Sequence, residues 1–139
     1  MKALIVSTLL LFSALTHADN SQIQFKDGWI KHLPPVVPMR AGYLTIENRG
    51  KTMNQIVAVQ SPVFESVEMH ETIMADGIMK MVQQDSIDLY PEKKVLLKPG
   101  GKHLMMMKPK QAMAIGDKID VIMTFADGST RQIQLEVNQ

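Results

Sequence analysis

Four side chains with soft or borderline donor atoms stand at fixed gaps in the chain: His70, ten residues, Met81, twenty-one residues, His103, one residue, Met105. The 139 residues include twelve methionines and no cysteine, so a soft-metal site here must take its sulfur from thioether. Methionine is by default pliable core filling, and any functional reading has to do better than that. Two imidazoles and two thioethers around one point would form a neutral donor set. Such a set selects copper(I), because zinc is normally held by Cys, His and carboxylate, and calcium or magnesium by oxygen. A blue-copper electron carrier is excluded, since that centre requires a cysteine. Copper(I) held without thiolate stays transferable to a better ligand set, which points to transport and away from turnover.

Convergence of the four depends on the elements that carry them. In a strand, residues two apart share a face, so His103 and Met105 present imidazole and thioether side by side. Asp76-Gly77 between the apolar runs 66–74 and 78–84 is the strongest short-range hairpin signal. A two-residue loop there sets His70 opposite Gln83 and Thr72 opposite Met81. His70 and Met81 then become diagonal neighbours on one face, about 7–8 Å apart at the backbone. One residue more or fewer in the loop would send Met81 to the other face.

The rest of the chain also reads as short strands between turns. "QFKDGWIKH" is followed by "LPPVVP", whose prolines bar a ladder strand, and then by runs at 41–48 and 54–60. The runs 94–98 and 102–108 are expected to meet as a hairpin across "PGG", and 117–125 to meet 130–137 across "ADGS". In that last pair Ile119, Val121 and Met123, or their alternates, face inward, and Ile133, Leu135 and Val137 alternate with Gln132, Gln134 and Glu136, a period-two pattern for one buried face. About eight short strands with regular turns predict an all-β, antiparallel Greek-key sandwich or barrel in a single domain.

These residues resemble a known family. The spacing His70, Met81, His103, Met105 is similar to the H-x10-M-x21-H-x-M signature of the PCuAC periplasmic copper chaperones. The segments "VEMHETIMADGIMKM", "LKPGGKHLMMM" and "AGYLTIEN" resemble that family's segments too, so the likeness spans residues 19–139. It implies a cupredoxin-like sandwich binding copper(I) through His70, Met81, His103 and Met105. It also implies delivery of the ion to a copper-accepting subunit of cytochrome c oxidase or to another copper chaperone, with no enzymatic step. A copper-sequestering tolerance protein would carry the same site but have no acceptor. A copper monooxygenase would want a site richer in histidine.

"MKALIVSTLLLFSALTHA" has the form of a secretory signal peptide, one lysine ahead of a short apolar core and a small-residue end. Residues 1–18 are therefore read as a leader and 19–139 as the domain, exported to the bacterial periplasm. The formal net charge is +1, and Lys2 is the leader's one charge, so the remainder is neutral. A neutral chain without a basic, aromatic-laced patch gives no footing for nucleic acid, and no later run approaches the roughly 20 apolar residues of a membrane span. A monomer is expected.

The remaining candidates are read blandly. Met39, Met53, Met113 and Met123 are assigned to packing, as is His32 to packing or surface. Met74 and Met79 are cross-strand neighbours on the His70 face, lining the site's mouth or packing. Met107 shares a face with Met105 and is its rival as a ligand, while Met106 points the other way. The second nitrogen of a bound imidazole needs a partner, which Glu68, Glu71 or a backbone carbonyl could supply. Lysines 93, 94, 98, 102, 108 and 110 surround the His103 strand with Glu92 as the one nearby acid, either guarding strand edges or forming a docking rim.

Overall fold

A computed structural model describes residues 20–139; the leader lies outside the described residues. After a single 3-10 turn, Asn20–Gln22, the described residues hold ten strands: β1 Ile23–Lys31, β2 Met39–Asn48, β3 Asn54–Gln60, β4 Phe64–Ala75, β5 Ile78–Gln84, β6 Ile87–Leu89, β7 Lys94–Leu97, β8 Lys102–Pro109, β9 Lys118–Phe125 and β10 Thr130–Asn138. Strands β4, β8, β2, β1, β10, β9 and β3 run side by side, and the pairing Val59↔Val67 brings β3 back to β4. The sheet thus closes on itself around one core, which removes most of its exposed edges. β5 and β6 hang on the outer sides of β4 and β3.

Period-two burial builds that core. β9 buries Ile119, Val121, Met123 and Phe125, alternating with half-exposed residues, and β10 answers with Leu135 and Val137. From the site-bearing strands Met69, Leu104 and Met106 join the same cluster. Met123 is core as expected, and Met113 packs against the core's edge. Met39 and Met53 are exposed and fill nothing, contrary to the packing role expected of them.

Three local features depart from the sequence expectation. β1 pairs with β10 in parallel, so the sheet is mixed, not purely antiparallel. β1 absorbs Lys26-Asp27-Gly28 as a bulge, with Asp27 at φ 53°, and a Cβ on Gly28 would stand 2.4 Å from Leu135 Cδ2. Finally, β7 and β8 form no hairpin across Pro99-Gly100-Gly101. Both run antiparallel to the ten-residue β2, β7 along Leu44–Glu47 and β8 along Met39–Gly42, so they travel in the same direction. The intervening loop is a jog, closed by Lys98 N–H to the Lys102 carbonyl (2.9 Å) and Gly101 N–H to the Lys98 carbonyl (3.0 Å), with Gly100 at φ +81°.

"LPPVVP" stays outside the strands as expected, and buried Arg40 fastens it by donating to the carbonyls of Leu33, Pro34, Val37 and Met39. The three-residue β6 escapes the sequence reading because it is too short to display a period.

Candidate metal centre

β4 and β8 pair in an unbroken antiparallel register, which sets His70 directly opposite His103 and Glu68 directly opposite Met105. The two imidazole rings stand 5.8 Å apart between centroids and tilt by 49°. All four side chains alternate away from the core residues Met69, Leu104 and Met106 and share the sheet's other face. β8 is nonetheless buried on both sides here, with His103 4% and Met105 7% exposed.

The Asp76-Gly77 turn has both central residues at positive φ, 52° and 75°, the backbone of a type I′ hairpin. The expected register follows: His70↔Gln83 and Thr72↔Met81. Met81 is therefore the diagonal neighbour of His70 on the same face, and at 61% exposure it stands on the solvent side of the group. Three of the expected residues lie together in and between β4 and β8, and the fourth sits on the flanking strand.

Each imidazole has one nitrogen committed and one free. His70 Nε2 lies 2.7 Å from the Glu68 carboxylate, and His103 Nδ1 lies 3.0 Å from the carbonyl of Gly101. Among the described residues, His70 Nδ1 and His103 Nε2 are buried without a hydrogen-bond partner. A buried, unpaired ring nitrogen costs free energy unless something fills its lone pair. Two such nitrogens on facing rings, next to a thioether, fit one soft cation, with the carboxylate and the carbonyl holding the rings in place. Both of the alternatives open from sequence are thus used, Glu68 for one ring and a backbone carbonyl for the other. Glu71 points to the opposite face and pairs with Lys102 at 2.9 Å. The jog between β7 and β8 acquires a role: the Gly101 carbonyl also accepts from Thr72 N–H at 3.1 Å, tying the β4 arm to His103.

Met107 faces Ser66 and Met39, one step farther along the face than Met105, and Met106 lies in the core. His32 bonds through its backbone to Asn138, on the far side of the topology from β4 and β8. The lysine cluster is less free than expected. Lys94 lies 4.0 Å from Glu47, Lys102 pairs with Glu71, and Lys108 stands 3.1 Å from Glu65. β2 and β4 bring these acids in from distant sequence, so Glu92 is not the one acid at hand.

Residues 23–137 match the model of the family described as "Putative lipoprotein LpqE-like". This chain belongs to the LpqE-like family. A relative in Leifsonia xyli subsp. xyli, Putative lipoprotein Lxx21020, is 31% identical over 116 residues, 83% of this chain and 69% of its own length. The Rickettsia prowazekii protein RP573 is 31% identical over 98 residues, 70% of this chain, and the LpqE-like chain spans only 54% of it. Among solved structures, the copper-bound PCuAC domain from PmoF2 superposes with a TM-score of 0.71 at 20% identity, over 84% of this chain and 92% of that one. The copper(I) form of DR1885 from Deinococcus radiodurans gives 0.62 at 24% identity, over 82% and 76%. At such identities the likeness establishes the fold, which is cupredoxin-like and all-β.

Proposed function

We propose that this LpqE-like protein binds one copper(I) ion through His70, Met81, His103 and Met105 and carries it to an acceptor. The observation that carries the reading is the pair of facing imidazoles, each oriented through one nitrogen and each with the other buried and unpaired. The neutral sulfur beside them selects for a soft monovalent ion. The solved neighbours support it, one being a copper-bound PCuAC domain and the other a copper(I) form.

The unequal burial of the donors suits a carrier. His103 and Met105 are buried, His70 is held by Glu68, and Met81 is exposed on an outer strand. An incoming ligand displaces the thioether of Met81 first, because that side chain is reached from solvent and swings without disturbing the core. The remaining donors then release the ion stepwise to the stronger set. The acceptor we infer is a copper-centre subunit of cytochrome c oxidase, with the protein acting as a non-enzymatic donor. The site of action is outside the cytoplasm, in the periplasm. The leader-like residues 1–18 and the lipoprotein descriptions of the relatives support export. The 139 residues contain no cysteine, so no thiol within them can carry a lipid, and among the described residues no helix is long and apolar enough to cross a membrane.

Anaerobic copper(I) titration against a competing chelator tests the site. Each of His70→Ala, Met81→Ala, His103→Ala and Met105→Ala is expected to weaken binding, the histidines by more than the roughly 10–100-fold that follows loss of an outer-shell partner. Equal affinity across the four variants and the parent ends the assignment. Mixing the loaded protein with an apo oxidase copper domain separates delivery from storage: a carrier loses its copper to the domain, and a sequestering protein keeps it.

A further inference from the structure

The hairpin arm beyond the site exposes more sulfur than packing can explain. Met74 lies directly opposite Met79, and Met81 follows two residues on, so all three project from one face of the arm. They are 69%, 64% and 61% exposed. β5 is exposed along nearly its whole length and, among the described residues, has β4 as its one neighbour in the sheet. Burying a methionine is favourable, and these three forgo most of that gain. The arm's other face carries Ile73, Ile78, Lys80 and Val82, so sulfur is confined to the face that His70 shares.

That face offers few alternatives to sulfur. Between Thr72 and Gln83 it holds a threonine hydroxyl, a glutamine amide and three thioethers, and no carboxylate or imidazole. Opposed residues stand about 5 Å apart at Cβ, and next-but-one residues on a strand about 7 Å, within the joint reach of three flexible methionine side chains. Oxygen-seeking ions find no charged ligand on it, whereas a soft monovalent cation finds three neutral sulfurs.

We propose that Met74, Met79 and Met81 form a second, outer copper(I) station, which captures the ion at the arm and passes it inward through Met81. Met81 is common to the two sets: it stands one step from Met79 on one side and diagonal to His70 on the other. Rotation of that one side chain moves the ion from three thioethers to a set containing two imidazoles, toward the stronger ligands. This proposal rests on the inner site for the direction of transfer, and not for the outer station's existence.

Methionine methyl 13C spectra, recorded anaerobically with copper(I) and with silver(I) as a redox-inert stand-in, test it. In the intact protein, silver(I) beyond one equivalent is expected to shift the methyls of Met74 and Met79. In His70→Ala/His103→Ala, whose fold is checked by circular dichroism, the methyls of Met74, Met79 and Met81 are expected to shift together from the first addition. Adding Met74→Leu/Met79→Leu keeps the apolar volume, removes the sulfur, and should weaken the Met81 response. Methyls of Met74 and Met79 that stay unmoved in both proteins overturn the proposal, as does a Met81 response unchanged by the leucines. Should the arm respond as expected while the parent and the imidazole-free variant hold copper(I) equally tightly, the outer station stands and the inner site fails.

Discussion

The Glu68 carboxyl group lies 2.7 Å from His70 Nε2 and opposite Met105, so it forms the fourth corner of the His70–His103–Met105 square. A carboxylate so placed fixes the tautomer with the lone pair on Nδ1, and offsets the charge that a neutral donor set leaves on a bound cation. Glu68→Ala should therefore weaken copper(I) binding by about 10–100-fold, with Glu68→Gln between it and the parent because the amide oxygen still accepts the bond. Chelator competition reads the affinity, and 15N spectra of the His70 ring read the tautomer. A Glu68→Ala protein with parental affinity and an unaltered tautomer would reduce the contact to an ordinary half-exposed hydrogen bond. His103 has no such lever, since its partner is the main-chain oxygen of Gly101.

At the scale of the element, the β4–β5 hairpin decides whether Met81 belongs to the site. Side chains alternate at every residue, so one residue inserted between Asp76 and Gly77 turns the Met81 side chain to the face of Lys80 and Val82. The arm buries little, and the insertion should leave the fold intact. The expected result is an affinity equal to that of Met81→Ala, with an unchanged circular dichroism spectrum. Parental affinity in the inserted protein would show that Met81 contributes nothing. The jog at Pro99-Gly100-Gly101 works at the same scale: it realigns the chain from β7 to β8 along β2 and delivers both His103 and the carbonyl that orients it.

Across the whole molecule, closure of the sheet joins strands far apart in sequence, and Glu47 is one of the ties. From β2 it meets Lys26 of β1 at 2.7 Å, Arg49 at 3.3 Å and Lys94 of β7 at 4.0 Å. The hydrogen bond from Lys26 is the largest influence on its carboxyl; desolvation comes next and opposes it, and the contacts with Arg49 add to Lys26, so the group is held below the usual glutamate range. The native state thus binds fewer protons at this site than the unfolded chain. The stability it contributes is present above the ordinary glutamate range and is lost as pH falls through the depressed value. In urea titrations, the deficit of Glu47→Gln relative to the parent should be visible at about pH 6 and shrink by about pH 3. A deficit that is the same at both pH values would rule out this linkage. The effect is small, because the pair is open to solvent.

Much of the candidate site's geometry is legible in the sequence. Asp76-Gly77 dictates a two-residue turn, and with it the register His70↔Gln83 and the shared face of His70 and Met81. Alternation alone pairs His103 with Met105 and sends Met106 to the core. These are local consequences of backbone geometry, so a single strand or turn suffices to state them. The contact of β4 with β8 is of another kind: thirty-two residues lie between His70 and His103, and only closure of the sheet selects that pairing among the many that alternation permits. The same holds for Glu68 and Gly101 as the partners of the two rings, for the collinear course of β7 and β8 along β2, and for the acids that reach the lysines. Sequence determined which donors the chain owns and which face each would take. Tertiary structure decided which faces meet, because strand pairing between distant segments is settled by burial of the common core and not by anything the two segments carry alone.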